Sequence, residues 1–191
     1  MSNNSDHADV LRALVLEDAI RKQMDPIVRQ AAEAVKLLKP ESGSKQSGMR
    51  ENQIRNVLNV AEESDSVEVV TNFIRYQIGR SSSDKQWQYN GFGLQVVHDI
   101  EEGVVAERAE VVGQQAAERI EASGDTADAE ALCAEAYVAL TRFYLGYLNR
   151  AFYFCDKTQT ANEERALRKQ EPLIEDPWAV VVRKKEVCQD V

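Results

Sequence analysis

Glycine and proline are scarce in this chain, and their shortage argues against a protein built of strands and tight turns. Only 9 Gly and 4 Pro occur in 191 residues, although these residues supply the backbone conformations that tight turns require. Alanine, glutamate, glutamine, arginine and valine are abundant instead. No apolar run approaches the roughly 20 residues that a membrane-spanning helix needs. The sequence therefore predicts an all-α fold without a membrane partner.

Histidine and cysteine are also too few to suggest a catalytic or metal site. The two histidines provide little material for a general base, which a serine or cysteine nucleophile usually requires. A carboxylate di-metal site needs Glu-x-x-His on inward helix faces, but glutamine stands three residues before His98. No Cys-x-x-Cys pair occurs among Cys133, Cys155 and Cys188. We therefore expect no catalytic residue, no metal, no cofactor and no enzymatic activity.

The negative charge of the chain is concentrated in one segment. The net charge is −9, and residues 92–135 carry eleven acids against only Arg108 and Arg119. Like charge would oppose phosphate, so we expect this segment to face solvent or a basic protein neighbour. The remaining residues are balanced and are free to present a basic surface. The polar, acidic N-terminus argues against a secretory signal and favours a cytoplasmic protein.

Turn-forming residues divide the sequence into three parts. Residues 1–48 are predicted to be a helical appendage that ends in a linker rich in Gly, Ser and Lys. Residues 49–157 are predicted to form a compact bundle of about five helices. Residues 158–191 are predicted to be a partly irregular C-terminal tail. Within this tail, the apolar stretch Trp178–Val182 is expected to be a lone strand or a docking segment.

The strongest helical pattern lies at residues 136–157, which contain seven of the thirteen aromatic residues. Apolar side chains recur there at steps of three and four, so we expect the central helix of the core. Leu140 and Phe143 are predicted core residues. A second, acidic helix is expected from Phe92 or Leu94 to about Ala122, with Gly103 as a possible bend.

Arginines stand beside aromatic residues on three predicted helices. The segment Gln53–Asn56 reads QIRN, Phe73–Arg80 reads FIRYQIGR, and the central helix carries Arg142 and Arg150. This order resembles the small subunit of type III, Csm-type, CRISPR effector complexes. In that helical family a Q-I-R helix precedes one ending in F-(L/I)-R-Y-x-(L/I)-G-R, and an aromatic, basic helix follows. The resemblance extends from about Arg50 to Lys157.

The resemblance implies a non-catalytic RNA-binding subunit of an antiviral ribonucleoprotein. Copies of the chain would stack along the channel that holds the guide RNA and the target RNA, beside the backbone and large subunits. Base pairing reads the sequence in such complexes, so the protein need only hold phosphates and shape. The guanidinium fork suits that task because it meets phosphate oxygens bidentately. The implied RNA contacts are Arg55, Arg75, Arg80, Arg142 and Arg150, with possible base stacking by Trp87 and Tyr89.

Each of these residues also has an intramolecular alternative. Arg80 could neutralise the C-terminus of its own helix, and Trp87 could anchor its loop to the core. Arg55 and Arg75 could pair with acids on neighbouring turns, namely Glu51, Glu62 or Glu68. A second function is left open, that of an acidic all-helical adaptor that binds basic protein partners without nucleic acid. An enzyme that uses the acidic face with a borrowed metal is a third.

Overall fold

The protein is helical throughout the part of the chain that its computed structural model describes, residues 2–40, 47–81 and 85–181. The all-α prediction is confirmed, and no helix in these ranges is long and apolar enough to cross a membrane. The elements are α1 Ser2–Lys22, α2 Met24–Lys36, α3 Glu51–Glu63, α4 Val67–Arg80, a 3₁₀ helix Gln86–Gly91, α5 Phe92–Glu101, α6 Val104–Ala122, α7 Ala129–Leu167 and α8 Pro177–Val180.

Helix α7 is the centre of the core and is longer than the sequence pattern predicts. It begins at the N-cap Asp128, whose carboxylate accepts hydrogen bonds from the backbone amides of Glu130 and Ala131, both at 3.1 Å. Its buried side chains follow one broad face. Phe143, predicted to be a core residue, is instead 45% exposed, because the apolar face is wider than the neighbouring helices cover. The buried members of the face include Leu132, Ala136, Leu140, Tyr144, Leu145, Leu148, Phe152 and Cys155.

Two glycines shape the packing of the acidic segment on α7. The predicted helix from 92 to 122 is broken into α5 and α6, and Gly103 stands at the break. The amide of Gly103 donates to the carbonyl of His98 at 2.8 Å, and a Cβ there would meet Asp99 Cα at 3.0 Å. Gly113 lies against the backbone of Cys133, so α6 and α7 approach closely. These two helices form the most extensive helix pair in the described structure.

The N-terminal helices contribute to the same core, which changes the description of residues 1–48 as an appendage. Helix α2 buries Ile27, Ala31 and Val35 completely and packs along α7. Helix α1 packs mainly on α6, with Val15 among its buried residues. Their apolar periodicity is thus satisfied inside the bundle rather than in a separate unit. Much of the predicted linker, residues 41–46, lies outside the described residues.

The C-terminal segment folds back along α7 and ends in a helix. Asn162 holds the returning chain, since its side chain donates to the carbonyl of Ile174 at 2.6 Å and accepts from the amide of Leu173 at 2.7 Å. Asp176 caps α8, and Trp178 is buried in the core. The expectation of a lone strand at Trp178–Val182 is therefore wrong for the described residues 178–181. An isolated strand has no pairing partner there, whereas a single capped turn buries the indole.

Candidate nucleic-acid interface

Arg142 is partly buried, and it contacts the C-terminus of α3. Its Nε donates to the carbonyl of Ala61 at 2.8 Å, and its Nη2 donates to the carbonyl of Ser64 at 3.2 Å. The same Nη2 is 2.8 Å from a carboxylate oxygen of Asp65. The last carbonyls of a helix have no intrahelical partner, and Arg142 supplies one from α7. This arginine therefore joins α3 to the central helix, and its Nε and Nη2 donors are already engaged.

Arg55 and Arg75 are paired with carboxylates on the surface. Arg55 pairs with Glu51 one turn earlier on α3, which is one of the predicted alternatives. Arg75 does not pair with Glu68 on its own helix. It makes a bidentate contact with Glu101 of α5, in which Nη1 donates to Oε1 at 2.8 Å and Nη2 donates to Oε2 at 2.6 Å. The hydrogen bond from Arg75 is the largest cause of the lowered pKa of Glu101. The acidic segment thus touches an arginine-bearing helix instead of lying apart from it.

Three exposed cations lie over tyrosine rings. The guanidinium carbon of Arg80 is 5.6 Å from the centre of the Tyr76 ring, and that of Arg150 is 5.2 Å from the Tyr147 ring. The ammonium of Lys157 is 5.5 Å from the Tyr153 ring. Cation–π contacts at exposed sites stabilise by only about 0.5–1 kcal/mol. The ammonium of Lys157 is also 3.2 Å from a carboxylate oxygen of Asp156, and an exposed ion pair of this kind contributes about 0–1 kcal/mol. All three cations can therefore turn towards a bound anion at little cost.

The RNA-contact residues predicted from the sequence do not include Lys157 or the tyrosines that carry the cations. The missed signal is the spacing, because Arg80 and Lys157 each follow a tyrosine by four residues and Arg150 follows one by three. Residues three and four apart on a helix are neighbours on its surface. A search for tyrosine followed by a cation at these steps would have found all three pairs.

The predicted base-stacking residues are buried. Trp87 is 1% exposed and Tyr89 is 5% exposed, and the Trp87 ring packs against Phe92 with centroids 5.3 Å apart. A buried ring cannot stack on a nucleobase, so the stacking role is wrong for both residues. The alternative interpretation, in which the loop aromatics anchor their loop to the core, is the one that the structure supports.

A buried carboxylate lies at the meeting point of α2, α5 and α7. Asp99 accepts hydrogen bonds from the Tyr144 hydroxyl at 2.7 Å, from Gln95 at 2.8 Å and from Gln30 at 2.9 Å. Burial raises the pKa of Asp99, and the three donors oppose that change. The charge pattern predicts that Asp99 is solvated like the other acids of its segment. The structure instead places it beside Val96, Val97 and Ile100 on the buried face of α5. This cluster joins three helices through hydrogen bonds.

The exposed acids of α6 lie along one line of the helix. Glu107, Glu110, Glu118 and Glu121 are all exposed, at steps that keep them on one side. Among the described residues, no group of three or more His, Cys, Asp or Glu side chains is placed to hold a metal ion. These four glutamates form an exposed acidic surface, which we call the α6 acidic stripe.

Comparison with known proteins identifies no relative of the chain. No protein-family model matches the sequence, and no curated protein or solved structure matches it significantly. Any assignment of function must come from the residues and contacts of the chain itself.

Proposed function

We propose that the chain is a non-catalytic, RNA-binding helical subunit of a type III CRISPR effector complex, in which several copies lie along the guide–target RNA. The observation that carries the RNA-binding part is the set of three exposed cations on tyrosine rings, Arg80, Arg150 and Lys157. The assignment to this complex depends on the sequence resemblance alone. The cations over tyrosine rings and the resemblance share Arg80 and Arg150, and both favour backbone contact with RNA.

The proposed contacts are to phosphates and sugars rather than to bases. Arginine and lysine on tyrosine rings present positive charge together with an aromatic edge, which suits the backbone of a single strand. Since Trp87 and Tyr89 are buried, the surface offers no described indole for base recognition. Binding by an isolated copy is therefore expected to be weak and independent of RNA sequence.

The number of cations over tyrosine rings sets the expected salt dependence of RNA binding. Each phosphate contact to a single strand lowers the logarithm of the affinity by roughly 0.7 per unit of log salt concentration. Three contacts give a slope of about −2 for one copy. Arg55, Arg75 and Arg142 add to this slope only if they leave their present partners. Stacked copies on one RNA strengthen the affinity further through effective concentration.

The test is a salt titration of single-stranded RNA binding by the wild type and by a variant with Arg80, Arg150 and Lys157 replaced by alanine. A matched control replaces Arg29, Lys85 and Arg168, which are exposed cations elsewhere on the chain. We expect the first variant to lose most of its affinity and most of the salt slope, and the control to keep both. Equal losses in the two variants would indicate general electrostatics and refute the proposed surface.

A second candidate function is an acidic adaptor for basic protein partners, and the α6 acidic stripe favours it. Its four glutamates are exposed, and no ion pair to them is found among the described residues. Replacing all four by glutamine should abolish capture of a basic partner without weakening RNA binding. If RNA does not bind at low salt while a basic protein does, the adaptor replaces the RNA-binding subunit as the function.

A further inference from the structure

Helix α1 carries an outward stripe of side chains that its own bundle leaves uncovered. Val10 is 57% exposed and Leu14 is 60% exposed, and Glu17 and Arg21 follow on the same side. The stripe continues past the end of α1 to the partly buried Met24. The steps between these five residues are four, three, four and three, which is the spacing of a helix–helix contact. We call this set the α1 stripe.

The α1 stripe borders an open apolar groove between α1 and α7. The groove has a volume of about 440 Å³. Its walls include Ile20 and Met24 on one side and Phe143 and Tyr147 on the other. The exposed side of Phe143 is therefore part of this groove, which meets the α1 stripe at Glu17, Arg21 and Met24. Contiguous exposed apolar surface of this kind is typical of an interaction site.

The order of side chains along the stripe is self-complementary. When two copies of the stripe lie antiparallel and are centred on residue 19, each residue faces the residue whose number brings the sum to 38. Leu14 then faces Met24, and Glu17 faces Arg21. The next pair outward joins Val10 with Val28, which is 37% exposed on α2. A second copy lying antiparallel would place apolar residues opposite apolar residues and acid opposite base. A partner with a uniformly basic or acidic helix would match only half of the central charges.

We infer that the partner of this surface is a second copy of the chain, docked through α1 about a two-fold axis near residue 19. Leu14 of each copy enters the groove of the other beside Met24 and Phe143. Glu17 of each copy meets Arg21 of the other, exchanging the intrahelical pair that the two residues make at 2.6 Å in one chain. Both contacts are made twice, as in any interface of two-fold symmetry.

The inferred pair goes beyond the proposed function and does not depend on RNA binding. A two-fold contact closes after two copies, whereas copies stacked along an RNA need head-to-tail contacts. The pair therefore describes the free protein before assembly. The three cations proposed for RNA lie on α4 and α7 outside the α1 stripe, although Tyr147, which carries Arg150, also lines the groove. The substitutions on α1 leave Tyr147 and all three cations in place, so loss of the pair and loss of RNA binding are separate results.

The mass of the free protein in solution gives the first test. We expect light scattering to report twice the chain mass of 21.5 kDa at high concentration. Leu14→Glu should shift the protein to a single chain, because it places a charge in the apolar groove. The matched control Leu94→Glu changes a leucine that is 64% exposed on α5, and it should keep the wild-type mass. Circular dichroism checks that both variants remain folded.

A charge-exchange experiment tests the register. Glu17→Arg alone and Arg21→Glu alone should each give single chains, since each places like charges opposite one another across the axis. The double variant Glu17→Arg, Arg21→Glu should pair again. An equimolar mixture of the two single variants should form a mixed pair, and this outcome cannot come from restoring the bond within one helix. A wild type that remains a single chain at high concentration overturns the inference, as does a mixture that fails to pair.

Discussion

The close approach of α6 to α7 at Gly113 gives a sharp test of the packing, through the substitution Gly113→Ala. A Cβ at Gly113 would lie 2.8 Å from the Cα, the Cβ and the backbone nitrogen of Cys133. Two of these atoms belong to the backbone of α7, so no side-chain rotation relieves the contact. The two helices must separate to admit the methyl group.

The expected magnitude is the difference of two opposing effects. Alanine is better than glycine inside a helix by about 0.8–1 kcal/mol. Overpacking a tight contact costs about 1–3 kcal/mol. The free energy of unfolding of Gly113→Ala should therefore fall by about 0–2 kcal/mol relative to the wild type.

Gly146 supplies the matched control on α7. Apart from its chain neighbours and the backbone of its own helix, nothing lies within 4 Å of a Cβ built there. Gly146→Ala therefore gains helix propensity without a clash. Its free energy of unfolding should rise by up to about 1 kcal/mol. The two variants should therefore differ by about 1–3 kcal/mol, although both make the same chemical change in a helix interior.

Denaturant unfolding and thermal melting both measure this difference. In a domain of this size a change of 1 kcal/mol moves the melting temperature by about 2–4 °C. We expect Gly146→Ala to melt above the wild type and Gly113→Ala below it. Equal stabilisation of both variants would show that α6 and α7 are not in contact at Gly113, and the described arrangement of the helices would be refuted.

Four further predictions concern the core and its polar contacts. Leu140→Ala should lower the unfolding free energy by about 2–5 kcal/mol, but Phe143→Ala by only about 1 kcal/mol, because that ring is half exposed; equal losses in denaturant unfolding would contradict this. Arg142→Ala should cost about 1–3 kcal/mol by leaving carbonyls of α3 unpaired, and an unchanged midpoint would contradict it. Burial raises the pKa of Asp99 above 3.8, so the folded state holds the proton more tightly than the unfolded state. The stability of the wild type relative to Asp99→Asn is therefore greatest at low pH and declines as pH rises through the folded pKa, and a series of unfolding curves that shows the opposite slope would contradict it. Tyr144→Phe should cost about 1–3 kcal/mol at neutral pH.

The helices follow from the sequence because their signals are local. The steps of Leu140, Tyr144 and Leu148 along α7 need no knowledge of other helices, and these residues are buried as the pattern predicts. The width of a buried face is a different matter. Phe143 belongs to the same apolar face but lies beyond the helices that cover it, and only the assembled bundle determines that boundary.

The arginine contacts could not be predicted because their partners are distant in sequence. Arg75 bonds to Glu101, 26 residues away, and Arg142 bonds to Ala61, 81 residues away. The pair of Arg55 with Glu51, by contrast, is local, and it is among the predicted alternatives. The burial of Asp99 is also hidden from the sequence, because two of its three hydrogen-bond donors, Gln30 and Tyr144, come from other helices.

The contacts of each arginine also determine how readily it can serve RNA. Releasing Arg142 leaves two helix carbonyls unpaired, at about 1–3 kcal/mol for each buried acceptor. Releasing Arg80 or Arg150 loses only a contact with a tyrosine ring, which contributes about 0.5–1 kcal/mol at an exposed site. Releasing Arg55 or Arg75 costs a similar amount, because exposed ion pairs contribute about 0–1 kcal/mol. Each release, however, leaves the carboxylate of Glu51 or Glu101 unpaired beside the site, where like charge opposes phosphate. A phosphate that binds this chain is therefore expected to meet Arg80 and Arg150 first, and an RNA surface at Arg142 would require α3 to give up its connection to the core.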